Sequence, residues 1–255
     1  MPKDPDGSPR GDSAMIADRA RGAQFHDRLA GSWNDNYSKG GFRKRLAFVR
    51  RLMGSLVLPG EVWLDAGCGG GILTVELSTL GARGLAVDGS PGMIDAAIRD
   101  AGPVTDGFTF KTVASISAIQ VEDATFDGVL CSSVVEYVEN VDETFGEISR
   151  VLRPGGKLVL SVPNRSSLVR RAQKLIRFAG RSVGLDPFPY LGVSANDFAR
   201  NDLIRRLGEH GFAVRAVEGF DPLVPAPFNK VVPSALYFAV AEKISSHSLL
   251  IEGES

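Results

Sequence analysis

Val62-Trp63-Leu64-Asp65-Ala66-Gly67-Cys68-Gly69-Gly70-Gly71-Ile72 is a short apolar run that breaks into glycines and resumes as an apolar segment. It reads as a buried strand, a tight turn and the start of a helix. Val62 and Leu64 carry the strand into a sheet, while Gly67, Gly69 and Gly71 remove side chains where the backbone must turn and a ligand must approach. The free amides of the first helical turn then face that ligand. A dinucleotide-binding turn has a similar pattern, so these residues set a nucleotide-cradling loop without choosing the nucleotide.

Working outward, Ile72 to Leu80 reads as a helix stopped by Gly81, and Gly84 to Asp88 as a second strand. Asp88 closes that strand about twenty residues beyond the glycines, where an acid can accept the hydroxyl hydrogens of a ribose. Ser90-Pro91 caps a helix through Met93, Ile94 and Ile98. Phe108 to Val113 and Gly128 to Ser132 read as strands three and four. Asp142 caps a helix carrying Phe145, Ile148 and Leu152, which stops at Arg153-Pro154-Gly155-Gly156 before a fifth strand, Lys157 to Val162. Asn196-Asp197 caps a helix with Leu203, Ile204 and Leu207, and two last strands, Phe212 to Glu218 and Ala235 to Ala241, form an antiparallel edge hairpin. Strands alternating with helices predict an α/β fold, a doubly wound, Rossmann-like sheet of seven strands that is mostly parallel with an antiparallel C-terminal pair.

Ahead of the first strand, Phe25, Leu29, Trp33 and Tyr37 recur at four-residue spacing and share one helical face; Phe42 to Met53 is a second helix. Residues 1–22 and 244–255 read as tails, leaving one domain over 23–243 with a lid insert at 164–195. The 255 residues, 44% hydrophobic and 23% charged, suit a single domain with a buried core. With 29 basic against 30 acidic residues the net charge is -1, so no global field recruits nucleic acid, and none is expected as a partner. Cys68 and Cys131 fall in or beside buried strands and suggest a reducing compartment. The N-terminus lacks the apolar run of a signal peptide and no stretch has transmembrane length, so a cytoplasmic protein is expected.

Leu64 to Gly71, Val87-Asp88, Phe126 to Cys131 and Leu152 to Leu158, in this order and spacing, resemble the successive motifs of class I S-adenosylmethionine-dependent methyltransferases. Cys68 to Leu73, Glu136-Tyr137-Val138 and Pro163-Asn164-Arg165 are similar to the polyprenyl-phenol O-methyltransferases of ubiquinone biosynthesis. The resemblance implies S-adenosylmethionine as cofactor. It sets Arg45 against the methionine carboxylate, for which a fork of donors is suited, Gly67 against the methionine moiety, Asp88 against the ribose and the Ser132 backbone beside the cofactor. Tyr37, Asp65, Cys68, Gly69, Gly89, Ser115 and Ile116 complete the expected cofactor site. The chain departs from the family in two places. Where many relatives hold the adenine with an acid after the third strand, it has Val113-Ala114-Ser115-Ile116. Where the ubiquinone enzymes carry a Glu-x-x-Glu-His metal site, it has Ser133, Glu136 and Tyr137, so no metal is expected and the usual histidine base is missing. His26, in the N-terminal cover, and Tyr137 are the candidate catalytic residues.

The reaction expected is methylation of a small molecule, with a phenolic or other hydroxyl acceptor ahead of N- or O-methylation of a sugar. A NAD-dependent dehydrogenase and a non-catalytic cofactor-binding protein are the competing classes. Ser166 to Val183 reads as an amphipathic helix, with Leu168, Val169, Ala172, Leu175, Ile176 and Ala179 on one arc and Arg170, Arg171, Lys174, Arg177 and Arg181 on another. Either its apolar side packs over the active site with the arginines in water, or it is a peripheral membrane contact. The acceptor and the oligomeric state are not legible in the residues.

Overall fold

The computed structural model describes residues 21–101, 104–224 and 232–245. The expected tails lie outside these residues except at their inner ends, where Arg21 and Gly22 already belong to the first helix, α1 (Arg21–Asp27). The chain continues through short 3-10 turns at Ala30–Ser32 and Asn34–Ser38, then α2 (Gly40–Gly54), β1 (Val62–Ala66), α3 (Ile72–Thr79), β2 (Arg83–Asp88) and α4 (Pro91–Asp100). Next come β3 (Phe108–Thr112), β4 (Phe126–Ser132), a 3-10 turn at Val135–Tyr137, α5 (Val141–Val151) and β5 (Leu152–Pro163). The insert carries α6 (Leu168–Arg181) and a 3-10 turn at Pro189–Gly192; α7 (Arg200–Glu209), β6 (Phe212–Phe220) and β7 (Leu236–Lys243) follow.

The seven strands form one sheet in the order β3-β2-β1-β4-β5-β7-β6. β1 to β5 pair in parallel, and β7 runs antiparallel to both β5 and β6. The expected antiparallel pair is therefore present, with β7 wedged between β5 and β6 and β6 at the edge. Neighbouring residues of β1, β4 and β5 point to opposite faces, as the pleat requires. Leu64, Val129, Cys131, Leu158 and Leu160 pack with Phe145 and Ile148 of α5 and Leu203 and Leu207 of α7. Trp63, Leu130 and Val159 pack on the other face with Val49, Leu52 and Met53 of α2 and Leu73 and Leu77 of α3. Burial on both faces explains why these strands read as continuous apolar runs.

Polar groups tie the amino ends of the central strands together. Asp127 accepts a hydrogen bond from the Val62 amide at 2.8 Å and pairs with Arg153, and Lys157 Nζ meets Glu61 at 2.7 Å. The carboxyl ends are left to the ligand cleft.

Several local expectations change: Leu152 to Gly156, expected as a helix end and a turn, belong to β5. The stripe from Phe25 to Tyr37 is α1 and two 3-10 turns rather than one helix, and Trp33 and Tyr37 both pack edge-on against Phe42 of α2. Asn140, not Asp142, caps α5, accepting from the amides of Asp142 and Glu143. Asn196-Asp197 do not cap α7: Asn196 Nδ2 donates to the Val135 and Val138 carbonyls, and Asp197 binds Arg165 and Lys174.

Gly128 sits against the buried Trp63 ring with no room for a Cβ, whereas nothing lies within 4 Å of a Cβ at Gly208 in α7. Gly128→Ala is therefore expected to lower unfolding stability by about 1–3 kcal/mol through overpacking. Gly208→Ala should be neutral or stabilising by up to about 1 kcal/mol. Urea denaturation of the two variants beside the parent checks this contrast.

Candidate active site

The carboxyl end of β1 turns through Gly67, Gly69 and Gly71, whose φ angles of 82°, 52° and 80° are all in the left-handed region that glycine tolerates best. The turn is fastened to β2. The amides of Gly67 and Cys68 both donate to the Val87 carbonyl at 2.8 and 2.9 Å, and the Gly69 amide donates to Asp88 Oδ2 at 2.9 Å. Asp88 Oδ1 accepts from the Ser90 amide at 2.8 Å. Burial raises the Asp88 carboxyl pKa, and the amides of Ser90 and Gly69 oppose that rise. A carboxylate has about four lone-pair directions, so two donors leave capacity for a ligand's hydroxyls.

At the ends of β1 and β4, Arg45 of α2 donates from Nη2 to Ser132 Oγ at 2.7 Å, while its buried Nε has no partner. Such an orphan donor is costly unless a ligand satisfies it. Ser161 Oγ lies 3.1 Å from Ser132 Oγ and accepts from the amide of Ser133, itself held at φ 58°. Burial raises the Tyr37 phenol in the same region. Asp65 lies behind the glycine turn rather than on the cleft wall, accepting from Thr74 Oγ1 at 2.7 Å.

A cleft of about 1030 Å³ runs along the strand ends, at the top of the range for one small ligand and roomy enough for two reactants. His26, Tyr37, Arg45, Gly67, Cys68, Gly69, Asp88, Gly89, Ser115, Ile116, Ser132 and Tyr137 all line it. Ser115 and Ile116 come from the loop after β3. Arg150 of α5 anchors the continuation of that loop through the carbonyls of Ile119 and Val121, with pairs to Asp123 and Glu147.

Two roofs cover the cleft. Over the glycine turn, Asp27 Oδ1 accepts from Ser90 Oγ at 2.6 Å and from the Gly92 amide at 2.9 Å, while Trp33 lies over Gly69. α1 packs so closely that Gly22 meets the Tyr137 side chain. His26 Nδ1 is 2.7 Å from the Gly22 carbonyl, and its ring stands edge-on to Tyr137 and Trp33.

The second roof is the insert, and its orientation differs from the packed-lid expectation. Arg170 is the buried residue of α6, and Val169 and Gln173 join it on the cleft wall. Apart from Val169 the apolar arc faces outward: Leu175 is 71% exposed, Leu168 and Ile176 are exposed too, and Phe178 beside the arc is 81% exposed. Arg170, expected in water, instead reaches Glu136 Oε2 at 3.4 Å and Ser194 Oγ at 2.9 Å, and Ser194 Oγ donates to the same Glu136 oxygen at 2.9 Å. Arg177 turns back to Asp186 at 2.7 Å. Tyr190 OH donates to Gln173 Oε1, and its ring lies under the Arg170 guanidinium. Burial raises the Glu136 carboxyl pKa against the pull of Arg170, and drives the Tyr137 phenol far above its usual range. Sequence reasoning missed this cluster because the phase of α6 depends on its docking.

A metal does not fit beside Glu136. Its neighbours are Ser133 and Tyr137, a cation already occupies its carboxylate, and no group of three or more metal-type side chains occurs among the described residues.

Asp65 is pushed up to about 7, first by burial and then by Asp88, against the Thr74 hydrogen bond. An acid raised above its unfolded value of about 3.9 contributes stability at lower pH that is lost as pH climbs through the folded value. The parent should therefore lose stability relative to Asp65→Asn between pH 4 and pH 8. Parallel urea-derived stabilities across that range would contradict the assignment.

A family model described as a methyltransferase domain matches residues 64–160. The mitochondrial ubiquinone biosynthesis O-methyltransferase of Schizosaccharomyces pombe is 39% identical over 113 residues, 44% of this chain and 41% of that protein. The ubiquinone biosynthesis O-methyltransferase of Xanthomonas oryzae is 34% identical over 113 residues, 44% and 46% of the two chains. The matched stretch thus spans less than half the length of these relatives. Among solved structures, magnesium protoporphyrin IX methyltransferase from Synechocystis PCC 6803 superposes with a TM-score of 0.65 at 21% identity, covering 91% of this chain and 100% of that one. A SAM-dependent methyltransferase from Thermotoga maritima gives 0.63 at 17%, covering 88% and 100%. Residues 64–160, from β1 to β5, thus match a methyltransferase-domain model and are similar in sequence to ubiquinone biosynthesis O-methyltransferases, in a fold shared with solved SAM-dependent methyltransferases.

Proposed function

We propose that the protein binds S-adenosylmethionine and transfers its methyl group to the hydroxyl of a small, phenolic acceptor. The observation that carries the cofactor reading is the pairing of a glycine turn and Asp88 with an orphan Arg45 Nε at the same strand ends. In this reading Arg45 takes the methionine carboxylate, Asp88 the ribose hydroxyls, and Ser115 and Ile116 the adenine edge. The all-parallel dinucleotide fold has no reversed strand inside the sheet, so β7 speaks against the dehydrogenase reading. The ubiquinone biosynthesis O-methyltransferase names of the relatives favour a phenolic hydroxyl acceptor over N- or O-methylation of a sugar.

When bound, the cofactor supplies a methyl group already activated by its sulfonium charge. The protein therefore has to align the acceptor and exclude water. Arg45 and Asp88 fix one end of the cleft, and α1 with Trp33 closes over the glycine turn. The acceptor end is walled by Tyr137, Val169, Gln173 and Tyr190. Asp88→Ala should weaken S-adenosylmethionine binding roughly ten-fold or more, because it removes hydrogen bonds to a charged acceptor. Isothermal titration calorimetry reads this directly, and unchanged affinity would sink the ribose assignment.

The finer part of the proposal concerns α6 as a contact with an anionic lipid surface from which a lipophilic acceptor enters. Leu168, Leu175, Ile176 and Phe178 are exposed together, flanked by Arg171, Lys174 and Arg181. Apolar burial and attraction to anionic headgroups then act in the same direction. No helix among the described residues is long and apolar enough to cross a membrane, so the contact would be peripheral. Flotation should show binding to anionic vesicles that falls in high salt and in Arg171→Glu/Arg181→Glu. Equal behaviour toward neutral and anionic vesicles would remove this role.

A further inference from the structure

We propose that Glu136 is the catalytic base, taking the acceptor's hydroxyl proton on Oε1, and that Arg170 is the positioning residue that aims it. This rests on the hydroxyl-acceptor reading and names the residue that completes it. Glu136 lines the cleft while being only 3% exposed. Both side-chain hydrogen bonds to its carboxylate, from Arg170 and Ser194, fall on Oε2, and Oε1 has no protein partner among the described residues. Arg170 is delivered by α6 and Ser194 by the end of the insert, so the carboxylate is held only while the insert is docked.

The neighbouring charges suit this role. Facing Glu136 are Arg170 of α6, Arg45 of α2, Tyr137 beside it in the chain and Tyr190 of the insert. Burial raises Glu136 above an ordinary carboxylate while Arg170 and Arg45 restrain the rise, which leaves a stronger base than an exposed glutamate. The other candidates fit less well. Tyr137 is held protonated by burial and by Glu136 itself, and His26 of α1 packs its ring edge-on against Trp33 and Tyr137.

The step balances without a co-reactant. The acceptor O–H bond breaks with its electron pair staying on oxygen, a new O–H bond forms at Glu136 Oε1, and the acceptor oxygen is left as the nucleophile. The proton passes from Glu136 to solvent after the product leaves the cleft.

Catechol and 4-nitrocatechol serve as probes. Without cofactor and at mildly acidic pH, binding of 4-nitrocatechol to the parent should produce an infrared band of a protonated carboxyl that is missing in Glu136→Gln. With cofactor, Glu136→Gln should lower kcat/KM for catechol by about 10²–10⁴. The loss should be much smaller for 4-nitrocatechol, whose hydroxyl gives up its proton more readily. Arg170→Met should move the acidic limb of the catechol pH profile upward, since a restraining cation is gone. Equal losses for both probes, or the same infrared band in Glu136→Gln, would overturn the base assignment. Calorimetry with S-adenosylmethionine separates the layers. Retained cofactor affinity in Glu136→Gln shows that the fold and cofactor end are intact. Failure of the parent to bind either catechol takes down the phenolic reading and this inference with it.

Discussion

The attachment of the glycine turn to the end of β2 is the constraint from which the rest of the site follows. Two successive amides converge on the Val87 carbonyl and a third reaches the Asp88 carboxylate, so the turn cannot shift without breaking three hydrogen bonds to one strand end. The backbone pays for this by holding three residues at positive φ, which glycine permits at little steric cost. With the turn fixed, α3 starts at a set point, Gly69 and Gly70 are packed beneath Trp33 and Asn34 of the roof, and the acid at the end of β2 is already aimed by donors on both oxygens. Ion pairs at the opposite ends of the central strands hold β1, β4 and β5 in register, leaving all the unfilled space at one edge of the sheet.

That half of the molecule was legible in the residues. Local patterns generated it: apolar runs of strand length, glycines where φ must be positive, Ser90-Pro91 at a helix start, and an acid at a fixed distance from the turn. Each of these is decided within a few positions of the chain. The order of the last two strands was not legible, because pairing β7 to β5 rather than to the edge depends on the sheet as a whole. The caps went astray for a related reason. Asn140 caps the helix two residues ahead of Asp142, and Asn196 was drawn to the carbonyls around the Val135–Tyr137 turn.

The acceptor half was the less readable. An amphipathic pattern tells which residues share an arc, but not which arc meets the protein. In α6 the burial of Arg170 reverses the usual assignment, since a guanidinium can enter the interior only where an anion waits for it, and Glu136 is supplied by a distant turn. Ser133 and Tyr137 stand where the family resemblance sets two metal ligands, and that departure is readable in the residues. Nothing within those positions announced that an arginine from the insert had taken up the remaining carboxylate.

The short turn at Val135–Tyr137 has a consequence for how such a site can change. Glu136 holds one roof through Arg170, and the next residue, Tyr137, bears the other where Gly22 rests on it. Adjacent positions are thus a common abutment for two arches. A substitution here that reshapes the chamber also disturbs the seating of α1 over the opposite end. Diversification of such a chamber is least constrained in the insert, at Val169, Gln173 and Tyr190, which touch one arch alone.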